Sequence, residues 1–191
     1  MTCIAAIQNP ETGEIAIAAD GYTCGQDYLS NRTSRKIAIH DSGGIVMAVT
    51  GSVGYTNAAH ELMRRTLSEG IGISDIVEEY EKLLVARGFL RVRDDSLRRE
   101  TFDYRAVIVL GGKIYDIDPA SQWCEIGPGF PATRGSGASE AMGACLALSE
   151  VLGLDDPCKI VRMAVEAACK CVLSCGGKIM VWSSTRGETN V

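Results

Sequence analysis

The sequence predicts an α+β fold in which two sheets pack on each other and helices cover the outside. Three observations carry that prediction. Apolar runs along the 191 residues follow the order ββββ, αα, βββ, αα, β. The connections within each helical pair are short, which makes both pairs antiparallel hairpins. Hydrophobic residues are 46% and charged residues 23% of the chain, with no repeat, low-complexity tract or linker, so residues 1–191 form one domain around one substantial core.

The elements follow in order. Thr2–Ile7 and Glu14–Ala19 are short apolar β-compatible runs, and Asn9-Pro-Glu-Thr-Gly13 between them has turn composition. A loop rich in Gly, Ser and Asn leads to a second pair, Lys36–His40 and Ile45–Thr50, around the turn Asp41-Ser-Gly-Gly44. The period then becomes helical. Ala58, Leu62, Met63 and Thr66 share one face, and Ile73, Ile76, Val77, Tyr80, Leu83 and Leu84 recur at three- and four-residue steps, with Ser74 as the helix start. Strands return at Tyr104–Leu110 and Lys113–Ile117 around Gly111-Gly112, and again near Trp123–Ile126. Helices over 137–152 and 157–174, separated by Gly153 and Pro157, precede a last strand at Lys178–Ser184.

Several function classes are excluded. A net charge of −5 argues against general nucleic-acid binding through phosphates. Arg87, Arg91, Arg93, Arg98, Arg99 and Arg105 cluster, but Asp94, Asp95, Glu100 and Asp103 lie among them, so this stretch reads as a solvated or subunit-contacting loop. The longest apolar runs, such as Ile45–Val49, are far too short for a membrane helix. The N-terminus lacks the cationic flank of a secretory signal, so the expected location is cytoplasmic. The eight cysteines include no C-x-x-C pair, and Cys169-x-Cys171-x-x-x-Cys175 has the wrong spacing for a zinc ribbon, so they read as small apolar core residues. No metal and no cofactor is expected. With only His40 and His60 available, both in ordinary segments, a Ser/His/Asp triad is hard to build, and no phosphate-cradling glycine loop exists.

The positive clue is Thr2. Removal of Met1 would leave a free α-amine on a hydroxyl residue at the head of an apolar strand, and an N-terminal threonine supplies nucleophile and base in one residue. An α-amine titrates near ~7.7–8.0, against ~10.4 for lysine, so it can act as a base at neutral pH. Four further features accompany it. Asp20-Gly21 ends the second strand, Lys36 opens the third, and Gly51 ends the fourth while Gly135-Ser136-Gly137 precedes the third helix. Singly each has an ordinary reading: a strand-ending turn, a solvated edge charge, a helix cap.

Taken together, Thr2-Cys-Ile-Ala-Ala, Ile17-Ala-Ala-Asp-Gly21, Ser34-Arg-Lys-Ile37, Val46-Met-Ala-Val-Thr-Gly51 and Gly135-Ser-Gly137 resemble the β-type subunits of the proteasome family, in particular the small bacterial HslV-type peptidases. The resemblance spans nearly the whole chain. It implies a four-layer αββα sandwich, the N-terminal-nucleophile hydrolase fold, and assembly into homo-oligomeric stacked rings that degrade polypeptides, with an ATP-dependent unfoldase as a possible partner. It implies Thr2 as nucleophile, Lys36 depressing the pKa of its amine, Asp20 pairing with Lys36, the Gly51 N–H binding the oxyanion, and Ser136 ordering the amine and the deacylating water.

It further implies that Val49, Ala38 and Val53 line an uncharged pocket for the residue before the cut, and that the backbone of Cys24 contacts substrate. The family motif Asp-x-x-Ser-Gly-Gly departs here to Val172-Leu-Ser-Cys-Gly-Gly177, with Val172 and Cys175 replacing the Asp and the Ser. Two other readings stay open: a catalytically silent ring-forming scaffold, and an N-terminal-nucleophile amidase of small molecules.

Overall fold

Short apolar runs build two five-stranded antiparallel sheets in the computed structural model, which describes residues 2–24, 29–30, 35–68, 70–89, 92–94, 99–119 and 122–189. The chain runs β1 (Cys3–Gln8), β2 (Ile15–Ala19), β3 (Thr23–Cys24), β4 (Leu29–Ser30), β5 (Ile37–Ile39), β6 (Ile45–Thr50), α1 (Val53–Met63), α2 (Ile73–Ala86), β7 (Val92–Asp94) and β8 (Arg99–Thr101). It continues through β9 (Arg105–Leu110), β10 (Lys113–Ile117), β11 (Trp123–Ile126), β12 (Ala132–Gly135), α3 (Ala138–Leu152), α4 (Pro157–Cys171), β13 (Met180–Ser183) and β14 (Gly187–Thr189). One sheet has the order β12-β1-β2-β13-β14, the other β11-β10-β9-β6-β5.

Side-chain parity stacks these elements into four layers. Ile4, Ala6, Ile15 and Ile17 of the first sheet meet Val46, Ala48, Val107 and Val109 of the second in a core between the sheets. The opposite faces of the same strands carry Cys3, Ala5, Ala16 and Ala18, which pack under Ala141, Cys145, Ile160, Ala164 and Val165 of α3 and α4. On the far side, Met47, Val49, Ala106 and Ile108 pack under Tyr55, Leu62, Tyr80 and Leu84 of α1 and α2. Strands buried on both faces need apolar residues at every position, which is why β1 and β2 read as continuous runs rather than alternating ones. The result is the αββα sandwich.

Several boundaries differ from the sequence expectation. The helix expected over 157–174 stops at Cys171, where Val172 turns extended, and residues 172–177 become a turn. Helix α2 is capped at Gly72, whose N–H donates to the Asp75 carboxylate at 3.0 Å, so Ser74 lies inside the helix rather than at its start. Part of the arginine-rich stretch, expected as a loop, pairs as the β7–β8 hairpin. Strand β12 was not expected at all, because Ala132-Thr-Arg-Gly135 is short and half polar; it pairs along β1 in the register Cys3↔Gly135. Among the described residues no helix is long and apolar enough to cross a membrane.

The inter-sheet core makes a direct test of the layering. Ile17 is fully buried there. Ile17→Ala should lower unfolding stability by about 2–5 kcal/mol, the usual cost of lost transfer energy plus a cavity, read from guanidinium denaturation. An unchanged midpoint would contradict the packing.

Candidate active site

Strand pairing places the two charged residues of the candidate site. The register Ile4↔Ala19 brings the residue after β2 opposite the first residue of β1. Asp20 N–H donates to the Cys3 carbonyl at 3.1 Å, and Cys3 N–H donates to Asp20 Oδ1 at 2.8 Å. Lys36, just before β5, reaches the same oxygen with Nζ at 2.6 Å. The second oxygen, Oδ2, accepts from Gly176 N–H at 3.0 Å. Asp20 and Lys36 are 1% and 4% exposed, so an ammonium and a carboxylate sit almost out of solvent and stabilise one another.

Thr2 lies one residue before this anchor and is 3% exposed. Its carbonyl accepts from the Ser136 hydroxyl at 3.4 Å and from Gly137 N–H at 3.5 Å. Such close approach requires glycine. Gly135 has φ +100°, and a Cβ there would fall 1.9 Å from the Thr2 carbonyl oxygen. A Cβ on Gly137 would press on Ala168, Cys175 and Cys3 at 3.0–3.2 Å. The Gly-Ser-Gly sequence thus lets the end of β12 lie on the head of β1 and delivers Ser136 there.

The turn after α4 completes the arrangement. The Ser136 hydroxyl is 3.2 Å from Ser174 Oγ and 3.4 Å from Cys175 Sγ. Ser174 and Cys175 are both buried, and Val172 occupies the C-cap of α4. Burial pushes the Cys175 thiol up, against a smaller opposing effect of the Ser136 hydrogen bond, so it is a protonated thiol at neutral pH. Burial likewise pushes the Cys3 thiol far up and the Cys145 thiol up to about 12, which marks these as inert core groups.

The remaining expected residues fall around this centre. Gly51 follows β6, whose register Ile37↔Ala48 with β5 sets it at the same end of the sheet as Lys36. It has φ +109°, and a Cβ would meet Tyr55 at 2.8 Å and the Asp103 carbonyl at 2.9 Å, so no other residue fits. Ala38 and Val49 face the core under α1 and α2 and are 0% and 1% exposed, whereas Val53 is 44% exposed at the start of α1. Of the three expected pocket residues, only Val53 is open to solvent. Cys24 is paired with Leu29 through its backbone, and its side chain, like the whole of Met1, lies outside the described residues. His60 contacts the Arg35 carbonyl at 2.7 Å and His40 the Ser42 hydroxyl at 2.8 Å, each in an ordinary structural contact. No group of side chains suited to a metal ion occurs among the described residues.

The structure therefore gathers Thr2, Asp20, Lys36 and Ser136 around the head of β1. The sequence reading named Gly135 only within the Gly-Ser-Gly segment and gave no role to Ser174 or the Gly176 N–H. Gly135 had a signal in its Gly-Ser-Gly context; Ser174 was hidden inside a stretch that read as helix.

No family model and no curated protein matches the chain. Solved structures do. A Thiobacillus denitrificans protein, the bacterial proteasome homologue BPH, superimposes with a TM-score of 0.74 at 21% identity over 95% of this chain and 96% of that one, and has also been solved in complex with epoxomicin. Anbu (ancestral beta-subunit) from Yersinia bercovieri gives 0.69 at 16% identity over 100% and 87%. Eukaryotic HslV from Trypanosoma brucei gives 0.64 at 19% identity over 95% and 98%. This is the proteasome-like N-terminal-nucleophile hydrolase fold. At these identities the likeness establishes the fold alone, and chemistry must be argued from the residues.

In this proteasome-like fold the buried pair is open to a stability test. Asp20→Asn leaves the Lys36 ammonium buried without its counterion and should cost about 3–5 kcal/mol. Lys36→Met in the Asp20→Asn background should recover part of that loss. Equal stability of Asp20→Asn and wild type in urea denaturation would show that the pair does not hold the site together.

Proposed function

We propose that this chain is the threonine-type endopeptidase subunit of a self-compartmentalised ring protease, with Thr2 as the nucleophile once Met1 is removed. The observation that carries the reading is the solvent-excluded Lys36–Asp20 pair fastened to the backbone next to Thr2. A structural core gains little from such a pair, because burying both charges costs about what their attraction returns. Beside an N-terminal amine it has a use: a fixed ammonium disfavours protonation of that amine and leaves it a base at neutral pH.

In this mechanism Thr2 Oγ attacks the scissile carbonyl carbon, and its proton passes to the α-amine of Thr2, directly or through a water. The oxyanion of the tetrahedral intermediate accepts from the Gly51 N–H, a contact of a kind worth a few kcal/mol. Collapse of the intermediate breaks the C–N bond, and the departing amine takes the proton, leaving an ester on Thr2. A water then attacks the ester while the amine accepts its proton, which releases the acid and restores the hydroxyl. Lys36 tunes the amine, Asp20 keeps Lys36 charged and aimed, and Ser136 orders the backbone of Thr2 and the water. While Met1 remains attached, the Thr2 nitrogen is an amide and none of this proceeds.

Polypeptides are the proposed substrates, stacked homo-oligomeric rings the proposed assembly, and an ATP-dependent unfoldase the proposed partner. The apolar side chains left open on one monomer support assembly: Leu146, Val151 and Leu152 of α3 are 50%, 80% and 43% exposed, and Leu173 is 93% exposed. The loss of the family carboxylate at Val172 favours a second reading, a ring-forming scaffold with a silent site.

Intact mass of the purified protein, before and after a peptide epoxyketone, separates the readings. The peptidase should lack Met1 and gain one inhibitor mass on Thr2, and Thr2→Ala should assemble normally, take up no inhibitor and hydrolyse no peptide. Rings without an adduct indicate the scaffold. A Thr2→Ala protein that cleaves peptide at the wild-type rate removes the nucleophile assignment.

Specificity provides the second test. Val53, the exposed member of the expected pocket, offers an ionic side chain no counter-charge, so Leu or Tyr before the cut should be preferred over Arg or Glu. Apolar pockets discriminate by roughly 1–3 kcal/mol, or about 10–200-fold. Val53→Asp should shift the ranking toward Arg in a fluorogenic peptide panel, since Val53 is the exposed member. A wild-type preference for Arg or Glu, or an unmoved ranking in Val53→Asp, would exclude the pocket.

A further inference from the structure

We infer that Ser174 is a positioning residue that holds Ser136 in this chain, in place of the carboxylate that related motifs carry at the position of Val172. The inference rests on the peptidase reading above and deepens it. The Val172 side chain has no hydrogen-bonding group, and the residue sits at the C-cap of α4, where the chain turns extended at φ −116° and ψ 109°. That turn is what brings the next residues to the site. Val172 N–H donates to the Ala168 carbonyl at 2.8 Å and Cys175 N–H to the Val172 carbonyl at 2.9 Å, which fixes a tight reversal directly after the helix. Ser174 and Cys175 emerge from it buried and beside the Ser136 hydroxyl.

The two neighbours are not equivalent. Ser136 Oγ lies 3.2 Å from Ser174 Oγ, an ordinary hydroxyl–hydroxyl contact, and 3.4 Å from Cys175 Sγ, where the thiol is a weak donor and a weak acceptor. Ser136 itself is open to solvent and directs its proton to the Thr2 carbonyl. A solvent-facing hydroxyl samples several rotamers unless a second group fixes its oxygen. Ser174 is buried and sits on a backbone tied at both ends, so it supplies that fixed point. Its hydroxyl meets the Ser136 oxygen, and it acts through Ser136.

The test uses the assembled wild-type protein, Ser174→Ala, Ser174→Thr, Cys175→Ala and Thr2→Ala on a fluorogenic peptide with Leu before the cut. Ser174→Ala should lower kcat about tenfold with KM within about twofold, the scale set by one neutral hydrogen bond. Ser174→Thr should restore most of kcat, and Cys175→Ala should lose less than Ser174→Ala. A kcat for Ser174→Ala within twofold of wild type overturns the inference, as does a larger loss in Cys175→Ala or no recovery in Ser174→Thr. If Ser174→Ala does not assemble, Ser174→Cys carries the test: its weaker donor should give a partial loss of kcat, and wild-type kcat overturns the inference. A wild-type protein no more active than Thr2→Ala overturns the peptidase reading itself, and this inference with it.

Discussion

The carboxylate of Asp20 is the point on which the architecture converges. Its two oxygens accept from the Cys3 N–H, the Lys36 ammonium and the Gly176 N–H, at 2.8, 2.6 and 3.0 Å. These donors come from three places: the head of β1 in one sheet, the approach to β5 in the other sheet, and the turn after α4. One buried anion thus ties both sheets and a helix end. Removing such a charge from water is costly, and the cost is offset only when its lone pairs are met by good donors in a fixed geometry. The close approaches by glycine follow from the same demand. Gly176 has φ +156° and no room for a Cβ beside Tyr22, so the residue that donates to Asp20 can come that near only without a side chain.

Around this ionic centre the polar groups are neutral. Ser136, Ser174 and the protonated Cys175 form a cluster of uncharged donors and acceptors against the Thr2 carbonyl. Valine at 172 and thiol at 175 leave Lys36 and Asp20 as the charges that define the centre.

Most of the layering was legible in the sequence. Runs such as Cys-Ile-Ala-Ala-Ile and Ile-Ala-Ile-Ala-Ala are apolar at every position, which fits strands covered on both faces, and the helical period of 73–84 is strong. The strand Ile45–Thr50 and the hairpin partner Lys113–Ile117 have the bounds their composition implies. What was hidden depends on tertiary contact. Strand β12 has an arginine and a threonine among four residues and exists because β1 offers it an open edge. The end of α4 was overrun because Val172 and Leu173 continue an apolar pattern, while the backbone leaves the helix to reach Asp20. Of the candidate site, Thr2, Asp20 and Lys36 were visible at the ends of expected strands and Ser136 just before an expected helix, and the family resemblance is what joined them. Ser174 was not visible, because its role follows from a turn that composition does not announce. Val49 and Ala38 were placed on the correct strands, but β5 and β6 direct them under α1, and their burial could not be read from alternation alone.

The chemistry of residue 20 is narrower than its charge suggests. Asp20 meets only donors, and one of them, Lys36, has no acceptor to offer. An amide would turn one of its two oxygens into an NH₂ group facing either the Lys36 ammonium or a backbone N–H, so donor would oppose donor. A glutamate would carry the acceptors one methylene further, into a site where Cys3, Lys36 and Gly176 are already at contact distance. Position 20 also makes the reciprocal backbone bond to Cys3, N–H to carbonyl, which sets the height of β1 relative to β2. The residue that pairs with the Lys36 ammonium is therefore the residue that fixes where β1 begins. Placement of the head of β1 and burial of the Lys36–Asp20 pair beside it are, in this fold, one constraint and not two.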